Sequence, residues 1–224
     1  MKYDAAADPP AAGQKVGQSP NGGGQSRELG AADTDPATAD RGTPARMRNH
    51  WESNTEKWRN EQRHPYWYLT FDDVSVIRYV ESCQRLLPPD GFDLVPADAL
   101  HMTIAAAAES DMHRQVATPG KAVSPFQTIL GPAVAISSAV CLSAGPADRF
   151  DALADSVGVK RFWPHVAIAY SNSDRQIDDN LEGALAAIRR IGGQATQISE
   201  VQLVNLRRSG HQYKWDAIRR FSLG

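Results

Sequence analysis

Apolar and polar positions follow two rhythms along this chain. Residues 65–71 (PYWYLTF), 100–107 (LHMTIAAA) and 165–170 (HVAIAY) are short, rich in aromatic and aliphatic side chains, and bounded by turn formers, which predicts strands. Between them, apolar residues recur at helical spacing. Val76, Ile77, Val80 and Leu87 follow Asp72 and Asp73 as N-cap candidates, and the run Pro88-Pro89-Asp90-Gly91 ends that helix. Residues 146–157 (PADRFDALADSV) open with proline and predict a second helix. Ile177, Leu181, Leu185 and Ile188 predict a third, capped by Ser173 or Asp174 and closed by Gly192-Gly193. Residues 126–136, interrupted by Gly131-Pro132, and 140–143 read as strands, and 109–125 as a polar loop. Residues 201–206 and 212–223 predict a closing hairpin around Ser209-Gly210. Strand and helix alternate twice in the same order, so the fold class is α+β, built from two similar lobes.

Composition divides the chain. Residues 1–46 hold one aromatic, Tyr3, and only Met1, Val16 and Leu29 as other large apolar residues, among many Ala, Gly, Pro, Ser and Asp. Such a segment buries too little apolar surface to offset its ordering entropy, so 1–46 is expected to be a disordered tail and 47–224 one folded domain. Met47 is a candidate alternative start. The 24 Lys and Arg against 26 Asp and Glu give a net charge of −2, which argues against a coat for long nucleic acid. No run approaches the roughly 18 apolar residues that span a bilayer, and the N-terminus lacks a signal-type apolar stretch. Cys83 and Cys141 stand far apart, without the spacing of a disulfide framework or a zinc site. A cytoplasmic monomer with reduced thiols is the expectation.

Two strands carry the candidate chemistry, His101-Met102-Thr103-Ile104 and His165-Val166-Ala167-Ile168. Residues i and i+2 of a strand share a face, roughly 6.5–7 Å apart, so His101 sits with Thr103 and His165 with Ala167 while the aliphatic residues face inward. A lone histidine on a strand is more often structural than catalytic. Two matching strands, each placed early in a half of the domain, reverse that balance. Paired imidazoles suit concerted acid–base chemistry, because the neutral ring takes a proton while the protonated ring gives one. The remaining histidines, His50, His64, His113 and His211, show no metal-ligand spacing, so no metal or other cofactor is expected.

These strands, together with MRNHW, YWYLTFDD, LVPADALHMTI, PHVAIAYSN and the closing YKWDAIRRFSLG, resemble the two-histidine phosphoesterase superfamily, and more narrowly its LigT-like group, named for 2′-5′ RNA ligase activity. The resemblance spans residues 47–224. It implies a bilobal fold of two pseudo-symmetric antiparallel-sheet lobes, helices outside, with both motifs in a central cleft. It also implies catalytic roles for His101 and His165 and a phosphate contact for Thr103. The family motif is His-x-Thr/Ser-x, so Ala167 stands where a hydroxyl is expected. A hydrogen bond to a charged group is worth roughly 1.5–3 kcal/mol, and its loss costs tenfold or more in affinity unless another donor substitutes. The polar loop at 109–125 occupies a place where the resemblance implies a helix.

The implied activity is a metal-independent phosphodiesterase acting on a 2′,3′-cyclic phosphate or a 2′-5′ linked nucleotide or RNA end, with 2′-5′ ligation as its reverse. The alternative is a non-catalytic nucleotide- or RNA-binding module on the same fold, suggested by Ala167 and the short interval between the motifs. Arg207-Arg208, before the final turn, is a candidate for bordering the cleft, and Trp51, Trp58 and Trp67 are candidates for base stacking, although core packing is the commoner use of such residues.

Overall fold

The computed structural model describes residues 44–53, 55–113, 121, 123–159 and 163–224. Nearly all of the segment expected to be a tail therefore lies outside the described residues. The folded part begins slightly earlier than expected: β1 (Arg46–Met47) pairs antiparallel with β8 (Arg175–Gln176).

Two antiparallel sheets form the body. The first orders β11-β10-β2-β4, with β2 at His64–Thr70, β4 at His101–Ala106, β10 at Glu200–Ser209 and β11 at Gln212–Ser222. The second orders β3-β7-β6-β5-β9, with β3 at Phe92–Leu94, β5 at Phe126–Ala135, β6 at Ala139–Gly145, β7 at His165–Ser171 and β9 at Gln194–Ile198. The helices are α1 (Val74–Gln84), α2 (Glu109–His113), α3 (Asp148–Ser156) and α4 (Asp179–Ile191).

Strand alternation sorts the side chains onto two faces. Trp67, Leu69, Met102, Ile104, Val166 and Ile168 join Val76, Val80, Phe150, Leu181 and Ile188 of the helices in one continuous core. The opposite faces turn toward each other. Tyr66, Tyr68, Val204, Leu206 and Tyr213 of the first sheet form one aromatic cluster there, and Ile136, Ala139 and Cys141 of the second form a smaller one. β2 has apolar side chains on both faces because it packs helices on one side and lines the inter-sheet cleft on the other.

Most expected elements appear, with instructive shifts. Asp73 caps α1 through its side chain, accepting from Ser75 N–H. The cap of α4 is Asp178 and not Ser173 or Asp174, because Arg175 and Gln176 are drawn into β8 by pairing with Met47 and Arg46. Gly192, at φ 91°, stops α4 as expected. Gly131-Pro132 does not break β5; it adopts a cis bond inside a strand whose register with β6 shifts there. Part of the stretch expected to be loop, Glu109–His113, is helical; residues 114–120 and 122 lie outside the described residues.

Candidate active site

The two histidine strands meet. β4 is the edge of the first sheet, β7 lies one strand in from the edge of the second, and the two approach each other across the inter-sheet cleft. His101, Thr103, His165 and Ala167 all line one cavity of about 40 Å³. The cavity holds roughly three water-sized groups, enough for a phosphoryl head. The i, i+2 alternation thus delivers the sequence-predicted residues to a common site.

Each imidazole is fixed in the same manner. His101 Nδ1 lies 2.8 Å from the carbonyl of Ala99, and His165 Nδ1 lies 2.8 Å from the carbonyl of Trp163. A carbonyl only accepts, so Nδ1 carries the hydrogen in both rings, and Nε2 is the nitrogen each presents to a ligand. An aromatic ring stacks on each: Tyr68 on His101 at 4.4 Å between centroids, and Trp163 on His165 at 4.2 Å. The Tyr68 phenol also hydrogen-bonds the Thr103 side chain, its directly paired neighbour on β4.

The cleft resists positive charge. Burial lowers the pKa of His101 to about 4, against a smaller opposing pull from the Ala99 carbonyl, and a charge on His165 lowers it further. Burial likewise lowers His165, again opposed by its carbonyl partner. Among the described residues lining the cavity none is Lys or Arg.

A third histidine, not singled out for chemistry from the sequence, lines the same cavity. His50 is 3% exposed and bridges the sheets, with Nδ1 3.0 Å from Ser138 Oγ and Nε2 2.9 Å from the Tyr213 hydroxyl. Burial and the Arg208 guanidinium hold its pKa near 3. The signal in the sequence was its place beside Trp51 in an otherwise polar segment. Trp51, Trp58 and Trp67 are buried in the cores, which removes them as base-stacking platforms. Arg207 faces Glu61 and Asp216, and Arg208 donates to the carbonyl of Ser53, so the basic pair ties the closing hairpin to the N-terminal turns. Among the described residues no group of three or more His, Cys, Asp or Glu is placed to hold a metal ion.

No protein-family model matches the chain, and no curated protein does. Solved structures are similar. LigT of E. coli complexed with phosphate is 15% identical, with 73% of this chain and 99% of that one covered and a TM-score of 0.54. A phosphoesterase is 17% identical, with 72% and 98% covered and a TM-score of 0.53. TT0787 of Thermus thermophilus is 15% identical, with 71% and 97% covered and a TM-score of 0.50. The motifs and the three-dimensional likeness meet on one architecture: the chain has the two-lobed fold of LigT.

Proposed function

We propose that this protein is a phosphodiesterase that opens a 2′,3′-cyclic phosphate or cleaves a 2′-5′ linkage at a nucleotide or RNA end, using His101 and His165 as an acid–base pair. The observation that carries the reading is the shared cavity: two imidazoles with Nδ1 pinned and Nε2 presented, beside the Thr103 hydroxyl. The similarly folded LigT of E. coli has been solved with phosphate and with 3′-AMP, which supports a nucleotide phosphate as occupant.

In the hydrolytic direction one of the two Nε2 atoms takes a proton from water as the water oxygen bonds to phosphorus. The bond from phosphorus to the ribose oxygen breaks, and Nε2–H of the other, protonated ring protonates the leaving oxygen. Thr103 donates to a non-bridging oxygen as negative charge builds there. With a ribose hydroxyl in place of water the same groups run ligation. The negative phosphate raises the affinity of the pair for that proton.

The competing reading, binding without turnover, is favoured by Ala167 and by the short interval between the motifs. A panel of 2′,3′-cyclic nucleotides and 2′-5′ dinucleotides, run with and without EDTA, separates the two. Turnover that survives EDTA and is lost in His101→Ala supports the enzyme; binding without turnover supports the module. Among the described residues no helix is long and apolar enough to cross a membrane.

A further inference from the structure

The two sides of the cavity differ in one group. Two residues after His101 stands Thr103; two residues after His165 stands Ala167, which offers no donor. The residue paired with Ala167 on the neighbouring strand is Cys141, whose thiol donates weakly. The next polar group along that wall is Ser138, at the turn between β5 and β6. It is 7% exposed, lines the cavity, and is anchored to β7 because its carbonyl accepts from Ser171 N–H at 2.9 Å.

The hydroxyl of Ser138 is not free to orient at random. His50 holds it through Nδ1, while Nε2 of the same ring meets the Tyr213 phenol. A neutral imidazole has one N–H and one lone pair, so it donates to one hydroxyl and accepts from the other. A phenol is a stronger donor than an aliphatic alcohol, so Tyr213 donates to Nε2 and Nδ1–H donates to Ser138 Oγ. The Ser138 hydrogen is then not used by His50 and is available to a ligand in the cavity that Ser138 lines.

We propose that Ser138 is the phosphate-binding hydroxyl of the His165 side, and that His50 is the positioning residue that makes it a donor. The proposal rests on the reading of the cleft as a phosphodiester site. It accounts for the absence of a hydroxyl at position 167 without requiring a weak site, because the donor arrives from the adjacent turn and not from the strand itself.

The test is a set of steady-state measurements on the full chain with a 2′,3′-cyclic nucleotide as substrate and inorganic phosphate as competitive inhibitor. Ser138→Ala is expected to lose about tenfold or more in kcat/KM and to weaken phosphate inhibition by a similar factor, since one hydrogen bond to a charged oxygen is removed. Ala167→Ser alone should change kcat/KM less than threefold, yet in the Ser138→Ala background it should restore most of the loss. His50→Gln should weaken phosphate inhibition in the same direction and add little to Ser138→Ala, a pattern that a merely structural histidine would not produce. If Ser138→Ala fails to fold by circular dichroism, Ser138→Cys takes its place with the same loss expected. The proposal is overturned if the serine variant stays within twofold of wild type while His101→Ala is inactive, or if Ala167→Ser gives the same factor in both backgrounds. A wild-type chain that neither turns over any substrate nor binds phosphate overturns the phosphodiester reading itself, and this proposal with it.

Discussion

The His101 half and the His165 half of the cleft reach the same end by different construction. In both, Nδ1 is tied to the carbonyl two residues earlier and an aromatic ring covers the imidazole. On the His101 side that ring is Tyr68, delivered by the neighbouring strand, and its phenol continues to Thr103. On the His165 side the ring is Trp163, from the chain's own approach to the strand, and no side-chain hydroxyl stands at position 167. The first half is thus a sheet-borne unit of ring, histidine and hydroxyl. The second is a local hook whose polar partner must come from elsewhere. Pseudo-symmetry therefore constrains where the imidazoles sit more tightly than it constrains which group donates to the ligand.

The largest expected effect separates the two imidazoles. His101→Ala and His165→Ala should each lose about 10²- to 10⁴-fold in kcat, the usual weight of one general acid or base. Loss of an acid matters less when the leaving group is good, so a substrate with a nitrophenolate leaving group should rescue one of the two alanine variants far more than the other and thereby identify the acid. Equal rescue would contradict a division of the pair into one acid and one base.

A smaller effect dissects the sheet-borne half. Thr103→Val should cost about tenfold or more in kcat/KM through a lost bond to a charged oxygen. Tyr68→Phe keeps the ring over His101 and removes only the phenol's bond to Thr103, so a loss of only a few-fold is expected in the same assay. If Tyr68→Phe costs as much as Thr103→Val, the phenol itself contacts the ligand.

A separate effect is on stability. His50 and His101 hold their protons less readily in the fold than the ordinary histidine value of 6.5. The unfolded chain then binds more protons below that value, and stability falls as pH drops from about 6.5 toward 4, by up to about 1.4 kcal/mol per pH unit for each buried ring. Urea unfolding at pH 7 and pH 5 should show this loss, and His50→Gln should flatten the slope. A slope unchanged by that substitution would show that His50 does not stay neutral.

The parts of the site that lie within one strand were legible in the sequence, because alternation alone places His101 with Thr103 and His165 with Ala167. The cap at Asp73 and the stop at Gly192 were legible for the same local reason. What depends on distant pairing was not. The β1–β8 pair moves the α4 cap to Asp178, and nothing near Ser173 announces it. His50 enters the cleft only because Ser138 and Tyr213, separated from it by 88 and 163 positions, close around it. Trp51, Trp58 and Trp67 illustrate the same limit, since only the packed fold shows which aromatic rings are core.

On the proposed function, His101 and His165 together hold one phosphate and one proton. Histidine side-chain nitrogen NMR, titrated against pH with and without inorganic phosphate, tests it most directly. Without phosphate both rings should remain neutral to below pH 6.5, His101 down to about 4, with Nδ1 as the protonated nitrogen. With saturating phosphate at least one of the two should take up a proton at a pH roughly one unit or more higher, and phosphate should bind more tightly as pH falls from about 7 to about 5. Titrations of both rings that phosphate leaves unmoved would contradict the account.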